Sequence, residues 1–237
     1  MVNIQKAAVI GCGFVGSTIA YTLMQKGLFS EMVLLDANKA KAEGEAMDIS
    51  HGLPFTHAMD IYAGEYEDIA DASVVIITAG ANQKPGETRL DLVQKNAAIM
   101  RSIIKEIKRV NCEGILLIVS NPVDILTEVA LRESGFPKER VIGSGTVLDT
   151  ARLKYIISEK LDVDSRNVHA FIVGEHGDSE LAAWSCANIY GIKLQDFAKM
   201  RGYEHFAQDM EEVYKGVRDS AYEIIERKGA TYYGIGM

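Results

Sequence analysis

In the stretch Phe171-Ile-Val-Gly-Glu-His-Gly-Asp-Ser-Glu180, His176 follows an apolar, strand-like run and lies between two glycines. An imidazole titrates near neutral pH without special tuning, so it can give a proton and take it back. Leu148-Asp-Thr-Ala-Arg152 spaces Asp149 and Arg152 three residues apart, on one face of a helix. Alone, those two read as an ordinary helix ion pair. The loop Gly80-Ala-Asn-Gln-Lys-Pro-Gly-Glu-Thr-Arg89 delivers a further arginine. Together these groups suit hydride transfer on a small carboxylate, provided a redox cofactor is held nearby.

A cofactor site is legible at the N-terminus. Ala7–Ile10 is a short apolar run that ends at Gly11-Cys-Gly-Phe-Val-Gly16, and Val15, Ile19, Leu23 and Met24 then recur on one helical face. A further apolar run, Met32–Leu35, ends in Asp36, 20 residues beyond Gly16. A bare G-x-G-x-x-G is weak evidence, but between strand and helix, with an acid at the next strand's end, it is specific. Gly11 permits the tight turn, Gly13 lets backbone approach a pyrophosphate, and Gly16 allows close helix–strand packing. Asp36 can accept from both ribose hydroxyls and would repel a 2′-phosphate, which favours NAD over NADP.

The elements that must position these groups alternate. Lys39–Ile49 and Leu90–Val110 read as helices, and strands are expected near Asp60–Tyr62, at Ser73–Thr78 and at Gly114–Val119. Apolar strands alternating with amphipathic helices predict a doubly wound parallel α/β sheet, with ligand loops at its carboxyl ends. Ser120-Asn-Pro-Val-Asp124 is one such loop, and Asn121 in it could hold a carbonyl or the nicotinamide side of a cofactor. Val147–Glu159 reads as the helix carrying Asp149 and Arg152. Val168–Val173 is too β-rich for a helix, so His169 and His176 do not share a helical face and no metal site is expected. Trp184 and the stripe Phe206, Met210, Val213, Val217, Ala221 and Ile224 read as core. The expected division is 1–144 for the nucleotide and 145–237 for the substrate.

Composition narrows the class. Hydrophobic residues at 48% and charged residues at 24% suit a soluble globular chain. A net charge of -8 disfavours a nucleic-acid surface. Cys12, Cys112 and Cys186 suggest neither a disulfide framework nor a zinc site. No apolar run is long enough to span a membrane, and a cytoplasmic location is expected.

The motifs Gly-Cys-Gly-Phe-Val-Gly, Ala-Gly-Ala-Asn-Gln-Lys-Pro-Gly-Glu-Thr-Arg, Ser-Asn-Pro-Val-Asp, Leu-Asp-Thr-Ala-Arg and Gly-Glu-His-Gly-Asp-Ser occur in that order. The pattern resembles the L-lactate/malate dehydrogenase family across essentially the whole chain, with the bacterial L-lactate enzymes nearest. The resemblance implies a Rossmann sheet followed by an α+β substrate domain, NAD as cofactor, and interconversion of pyruvate and L-lactate in glycolysis and fermentation. His176 would be the proton donor and acceptor, Asp149 its orienting partner, and Arg152 the grip on the substrate carboxylate. Arg89 would polarise the carbonyl. Gln83, Asn121 and Thr231 would line the substrate site. Besides the glycines and Asp36, cofactor contacts would come from Phe14, Val15, Thr78, Ala79, Gly80, Asn121 and Ile235. A homo-oligomer, tetramer or dimer, is implied.

Malate dehydrogenase is the neighbouring alternative, and Gln83 argues against it, because the malate enzymes carry arginine there. Two departures stand out. Family members normally continue well beyond Lys228–Met237, so the substrate domain is expected to be incomplete, the chain being otherwise a catalytically impaired NAD-binding fragment. Thr231–Met237 is expected to begin a helix. Where enzymes activated by fructose 1,6-bisphosphate use an arginine and a histidine, this chain has Lys154 and His169, a weaker candidate phosphate site because lysine lacks the planar fork.

Overall fold

The computed structural model describes residues 1–81, 86 and 88–237. They form two compact units, one of residues 1–144 with 232–237 and the other of residues 145–231.

The first unit alternates β1 (Asn3–Ile10), α1 (Phe14–Lys26), β2 (Glu31–Leu35), α2 (Lys39–Ser50), β3 (Asp60–Ala63), β4 (Ala72–Ile77), α3 (Arg89–Arg109), β5 (Ile115–Ile118), α4 (Val123–Ser134) and β6 (Val141–Gly143). All neighbouring strands pair in parallel, in the order β3-β2-β1-β4-β5-β6. That is the doubly wound order, with its reversal beside β1. Successive side chains on a strand face opposite sides, so one strand serves two cores. Ala8 and Ile10 join Met100, Ile104 and Ile107 of α3 and Leu126 of α4. Val9 joins Ile19 and Met24 of α1 and Ala46 and Ile49 of α2. The expected fold class holds here, and β6, too short to leave a periodic signature, adds the sixth strand.

Local chemistry sets the helix ends. Gly27 closes α1 in the left-handed region at φ 60. Thr88 opens α3 with a capping box: its Oγ1 accepts from Asp91 N–H at 3.1 Å, and Asp91 Oδ2 accepts from Thr88 N–H at 3.0 Å. On β1, Lys6 is buried, yet its Nζ reaches Glu31 and Asp71 at 2.9 Å each. Burial pulls its pKa down, but the hydrogen bonds to Asp71 and Glu31 outweigh that and hold the ammonium above its ordinary value.

The second unit contains α5 (Val147–Leu161), the short strands β7 (Val168–His169), β8 (Ile172–Val173), β9 (Leu181–Ala182), β10 (Asn188–Ile189) and β11 (Ile192–Lys193), then α6 (Leu194–Met200) and α7 (Phe206–Lys228). Its core joins Leu153 and Ile157 of α5 to Phe197 of α6 and Met210, Val213 and Val217 of α7, with Trp184 half-buried against it. Val168–Val173 is not helical, as expected, and divides into two strands, because Val168–His169 pairs with β10 while Ile172–Val173 pairs with β9. Two expectations are corrected. The apolar stripe of α7 is core only through Val217, Ile224 being 37% exposed. Residues 231–237 form no regular helix. Gly236 N–H bonds back to Tyr232 O at 3.2 Å in a single turn. Among the described residues, no helix is long and apolar enough to cross a membrane.

Candidate functional site

The parallel register brings the nucleotide-binding candidates to one edge of the first unit. Ile10 pairs with both Leu35 and Ile77, and Ile77 with Ile118, so the loops after β1, β2, β4 and β5 leave side by side. Gly11 lies at φ +102, and a Cβ there would come within 2.5 Å of Ala79 N. A Cβ on Gly16 would stand 1.8 Å from Gly11 O. Neither position can hold a side chain without moving backbone. A Cβ on Gly13 would meet nothing within 4 Å, so its absence matters to an approaching ligand rather than to the fold. Gly13 caps α1 without a side-chain acceptor, and no acid lies in the first turn. The helix N-terminus therefore keeps its donors and partial positive charge for an anion.

Two backbone donors hold Asp36 in place. Its Oδ2 accepts from Cys12 N–H at 2.7 Å and its Oδ1 from Asn38 N–H at 2.8 Å. Each carboxylate oxygen has capacity for a further donor, which a ribose diol would supply. Thr78 Oγ1 donates to Gly11 O at 2.7 Å, tying the loop after β4 to the glycine turn. Cys12, in the same turn, is buried and its thiol is pushed up to about 12, by burial first and then by the Asp36 charge. It is inert.

Sequence reasoning missed Asn96. This α3 residue is 3% exposed. Its Oδ1 accepts from Ala81 N–H at 2.8 Å, and its Nδ2 donates to Ala81 O at 3.3 Å and Asn121 O at 2.8 Å. One amide thus fixes the loops that carry Gly80 and Asn121. Arg89 is exposed at the first position of α3. Gln83 lies outside the described residues. Ile235 is half-buried in the terminal turn, where a Cβ on the adjoining Gly236 would meet Thr18 Cγ2 of α1 at 2.3 Å. Phe14 and Tyr232 stack alongside at 5.0 Å between ring centres, and Tyr233 is tilted against Tyr232.

The second unit assembles the proton-transfer candidates. Asp149, its side chain 3% exposed, is the hub of a chain of contacts. Its Oδ1 accepts from Arg152 Nη1 at 3.0 Å, and its Oδ2 lies 2.6 Å from His176 Nδ1. The helix ion pair is therefore real and serves the histidine as well. The turn delivering His176 needs Gly174 and Gly177 on either side, at φ +97 and +125. The loop is pinned to α5, since Thr146 Oγ1 donates to Ile172 O at 2.7 Å and Thr150 Oγ1 accepts from Ile172 N–H at 2.9 Å. The hydrogen bond to Asp149 raises the His176 pKa. Burial opposes it, and the Asp149 charge adds to the rise. With Nδ1–H directed at Asp149, the titrating ring position is Nε2. Glu180, which sequence reasoning quoted but gave no role, completes the cluster, one atom from each of Asp149, His176 and Glu180 falling within 4.8 Å. Lys154 is half-buried on α5, His169 is exposed on β7, and Thr231 is half-buried at the end of the unit.

Comparison with known proteins fits this geometry. Residues 5–143 match the NAD binding domain of lactate/malate dehydrogenases, and residues 146–237 match the α/β C-terminal domain of the same enzymes. The chain belongs to the lactate/malate dehydrogenase family. Among curated members, it is 56% identical to an L-lactate dehydrogenase of Acetivibrio thermocellus, over 99% of this chain and 74% of that protein. The L-lactate dehydrogenase of Priestia megaterium is also 56% identical, over 98% and 73%. Among solved structures, a lactate dehydrogenase from a Medee basin deep-sea metagenome library superposes with a TM-score of 0.96 at 54% identity, covering 100% of this chain and 75% of that one. The minor L-lactate dehydrogenase of Enterococcus mundtii, with ligands bound, gives 0.94 at 48% identity, over 98% and 74%. The family's cofactor is NAD, and the glycine turn, the helix N-terminus and Asp36 fit it.

Proposed function

We propose that this chain is an NAD-dependent L-lactate dehydrogenase interconverting pyruvate and L-lactate. The observation that carries the reading is the Asp149–His176 pair with Arg152 on the same carboxylate, in a family whose curated relatives of this chain are L-lactate dehydrogenases. Residues 1–144 handle the nucleotide, and residues from 145 onward supply the proton. A homo-oligomer, tetramer or dimer, working in the cytoplasm in glycolysis and fermentation, completes the proposal.

The residues divide the chemistry as follows. The backbone donors from Gly13 onward take the pyrophosphate, and Asp36 takes the ribose hydroxyls. Bound NADH supplies the hydride. Asn121 orients the carbonyl or nicotinamide side. Thr78, Ala79, Gly80, Phe14, Val15 and Ile235 line the cofactor. Arg152 keeps one N–H on Asp149, and the rest of its five-donor fork can grip the substrate carboxylate. Arg89 polarises the carbonyl, Gln83 and Thr231 face the substrate, and His176 Nε2 gives the proton to the carbonyl oxygen. Asp149 holds the ring and stabilises its charged form. Lys154 and His169 form a candidate phosphate site with one point charge in place of a fork.

Two measurements test the assignments. NADH should bind at least tenfold more tightly than NADPH, because a 2′-phosphate would meet the Asp36 carboxylate. Asp36→Ser should narrow the gap in a fluorescence titration. Equal affinity of the unaltered chain for both cofactors overturns the role of Asp36. Substrate choice turns on Gln83, whose neutral amide offers no counter-charge to the second carboxylate of oxaloacetate. Steady-state assays should show pyruvate preferred, and Gln83→Arg should swing the ratio of specificity constants toward oxaloacetate by up to a few kcal/mol, the scale of one desolvated charge pair. An unmoved ratio defeats that assignment.

A further inference from the structure

Glu180 is a carboxylic acid buried behind the His176–Asp149 pair. It is 5% exposed, and its Oε1 has no hydrogen-bond partner among the described residues. It follows the catalytic turn and directly precedes β9. Its backbone N–H donates to Gly177 O at 3.0 Å, and its carbonyl accepts from the Tyr214 hydroxyl of α7. Main-chain bonds at both ends therefore hold the residue against the turn, where its side chain is buried. The charged groups that act on it are Asp149 and Arg152 from α5, His176 from its own loop, and Arg218 from α7.

A buried carboxylate with an unsatisfied oxygen is costly, whereas the neutral acid is far cheaper to bury. Burial first, and then the Asp149 charge, push this carboxyl up to about 7, against the pull of His176, Arg152 and Arg218. Its ionisation therefore falls in the range where an imidazole titrates. His176 in turn feels Glu180, whose negative charge favours the imidazolium. Two groups this close lose their protons as a pair rather than independently.

We propose that Glu180 is a positioning residue for proton transfer, a second proton-holding carboxyl that acts through His176 and extends the imidazolium to higher pH. Below neutrality Glu180 carries a proton, and His176 is charged through Asp149 alone. As the pH rises, Glu180 ionises and its charge opposes loss of the ring proton, so the donor needed for carbonyl reduction persists further into the alkaline range. Glu180 touches no reacting atom in this scheme.

The inference rests on His176 as the proton donor, so its test has a readout independent of turnover. The His176 ring is titrated by NMR in the full chain, in Glu180→Gln and in Glu180→Asp. Glu180→Gln should lower the ring's apparent pKa by about one pH unit, a tenfold change in proton affinity at the scale of a charge a few ångströms away in a protein interior, and Glu180→Asp should restore part of it. A folded Glu180→Gln chain with an unmoved ring overturns the proposal. The alkaline limb of the pH profile for pyruvate reduction should fall with the ring. If the ring moves and the limb stays, the donor role of His176 is wrong while the coupling stands. Should Glu180→Gln not fold, infrared spectra of the unaltered chain with ¹³C-labelled glutamate decide the matter. A protonated glutamate band should be present at about pH 6 and lost by about pH 8, and its absence at the lower value overturns the proposal.

Discussion

His176→Ala should lower turnover of pyruvate by roughly 10²–10⁴-fold, the usual contribution of a positioned general acid. NADH affinity should be unchanged within a factor of about two, because the nucleotide candidates lie on the first unit's sheet edge and His176 belongs to the second. The carbonyl oxygen gains negative charge as hydride arrives at its carbon, and a proton from Nε2 removes that charge. Water can reach the site but is a far weaker acid at neutral pH, so a residual rate is expected. Steady-state turnover with cofactor fluorescence on the same preparation checks both halves. Retention of full turnover in a chain that still binds NADH defeats the proton-transfer role.

Asp149→Asn should cost nearly as much, roughly 10³-fold in turnover, for a different reason. The amide keeps the volume but loses the charge that supports the imidazolium, and its NH₂ can turn a donor toward Nδ1. The hydrogen bond that raises the ring's pKa is lost first, and the Coulombic support goes with it. The sign for stability follows. His176 has a raised pKa in the fold, so the pair's contribution is fully present below the ordinary imidazole value of 6.5 and fades as pH rises through the elevated value. Asp149→Asn should therefore destabilise the second unit more at pH 6 than at pH 9. Arg152 would also lose its ion pair with Asp149, and breaking a buried pair typically costs about 3–5 kcal/mol. Thermal melts at the two pH values check the sign, and a larger loss at the alkaline value reverses it.

The nucleotide half was largely legible because its signals are local. A glycine spacing fixes the turn, and unbroken apolar runs such as Val74–Ile77 identify strands buried on both faces. The second unit was less legible for a physical reason. Strands of two residues, such as β7 and β10, exist only through pairing with a segment well separated in sequence, and no periodicity can be read from two side chains. The split of Val168–Val173 follows from that. Glu180 was written in the same motif as His176, yet its burial is made by α5 and α7 and could not be read from its neighbours. Asn96 was hidden similarly, since an amide beside Gln94 and Lys95 in a helix looks solvated until the loops it holds are placed. The grouping of Tyr232–Met237 with the first unit rests on tertiary contact alone.

The two anchors of the loop before α3 have a consequence for how such enzymes change. Ala81 is clamped on both its N–H and its carbonyl by Asn96, and Thr88 is locked by its capping box with Asp91. Both anchors are made by residues of α3, Asn96 and Asp91, and use no side chain of residues 82–87. Because spanning two fixed points costs little more as residues are added, substitutions and insertions between Ala81 and Thr88 are expected to leave the sheet undisturbed. The same scaffold can accept grafted sequences there, and selection for a new substrate can act on that cassette while the nucleotide edge and the histidine stay in place.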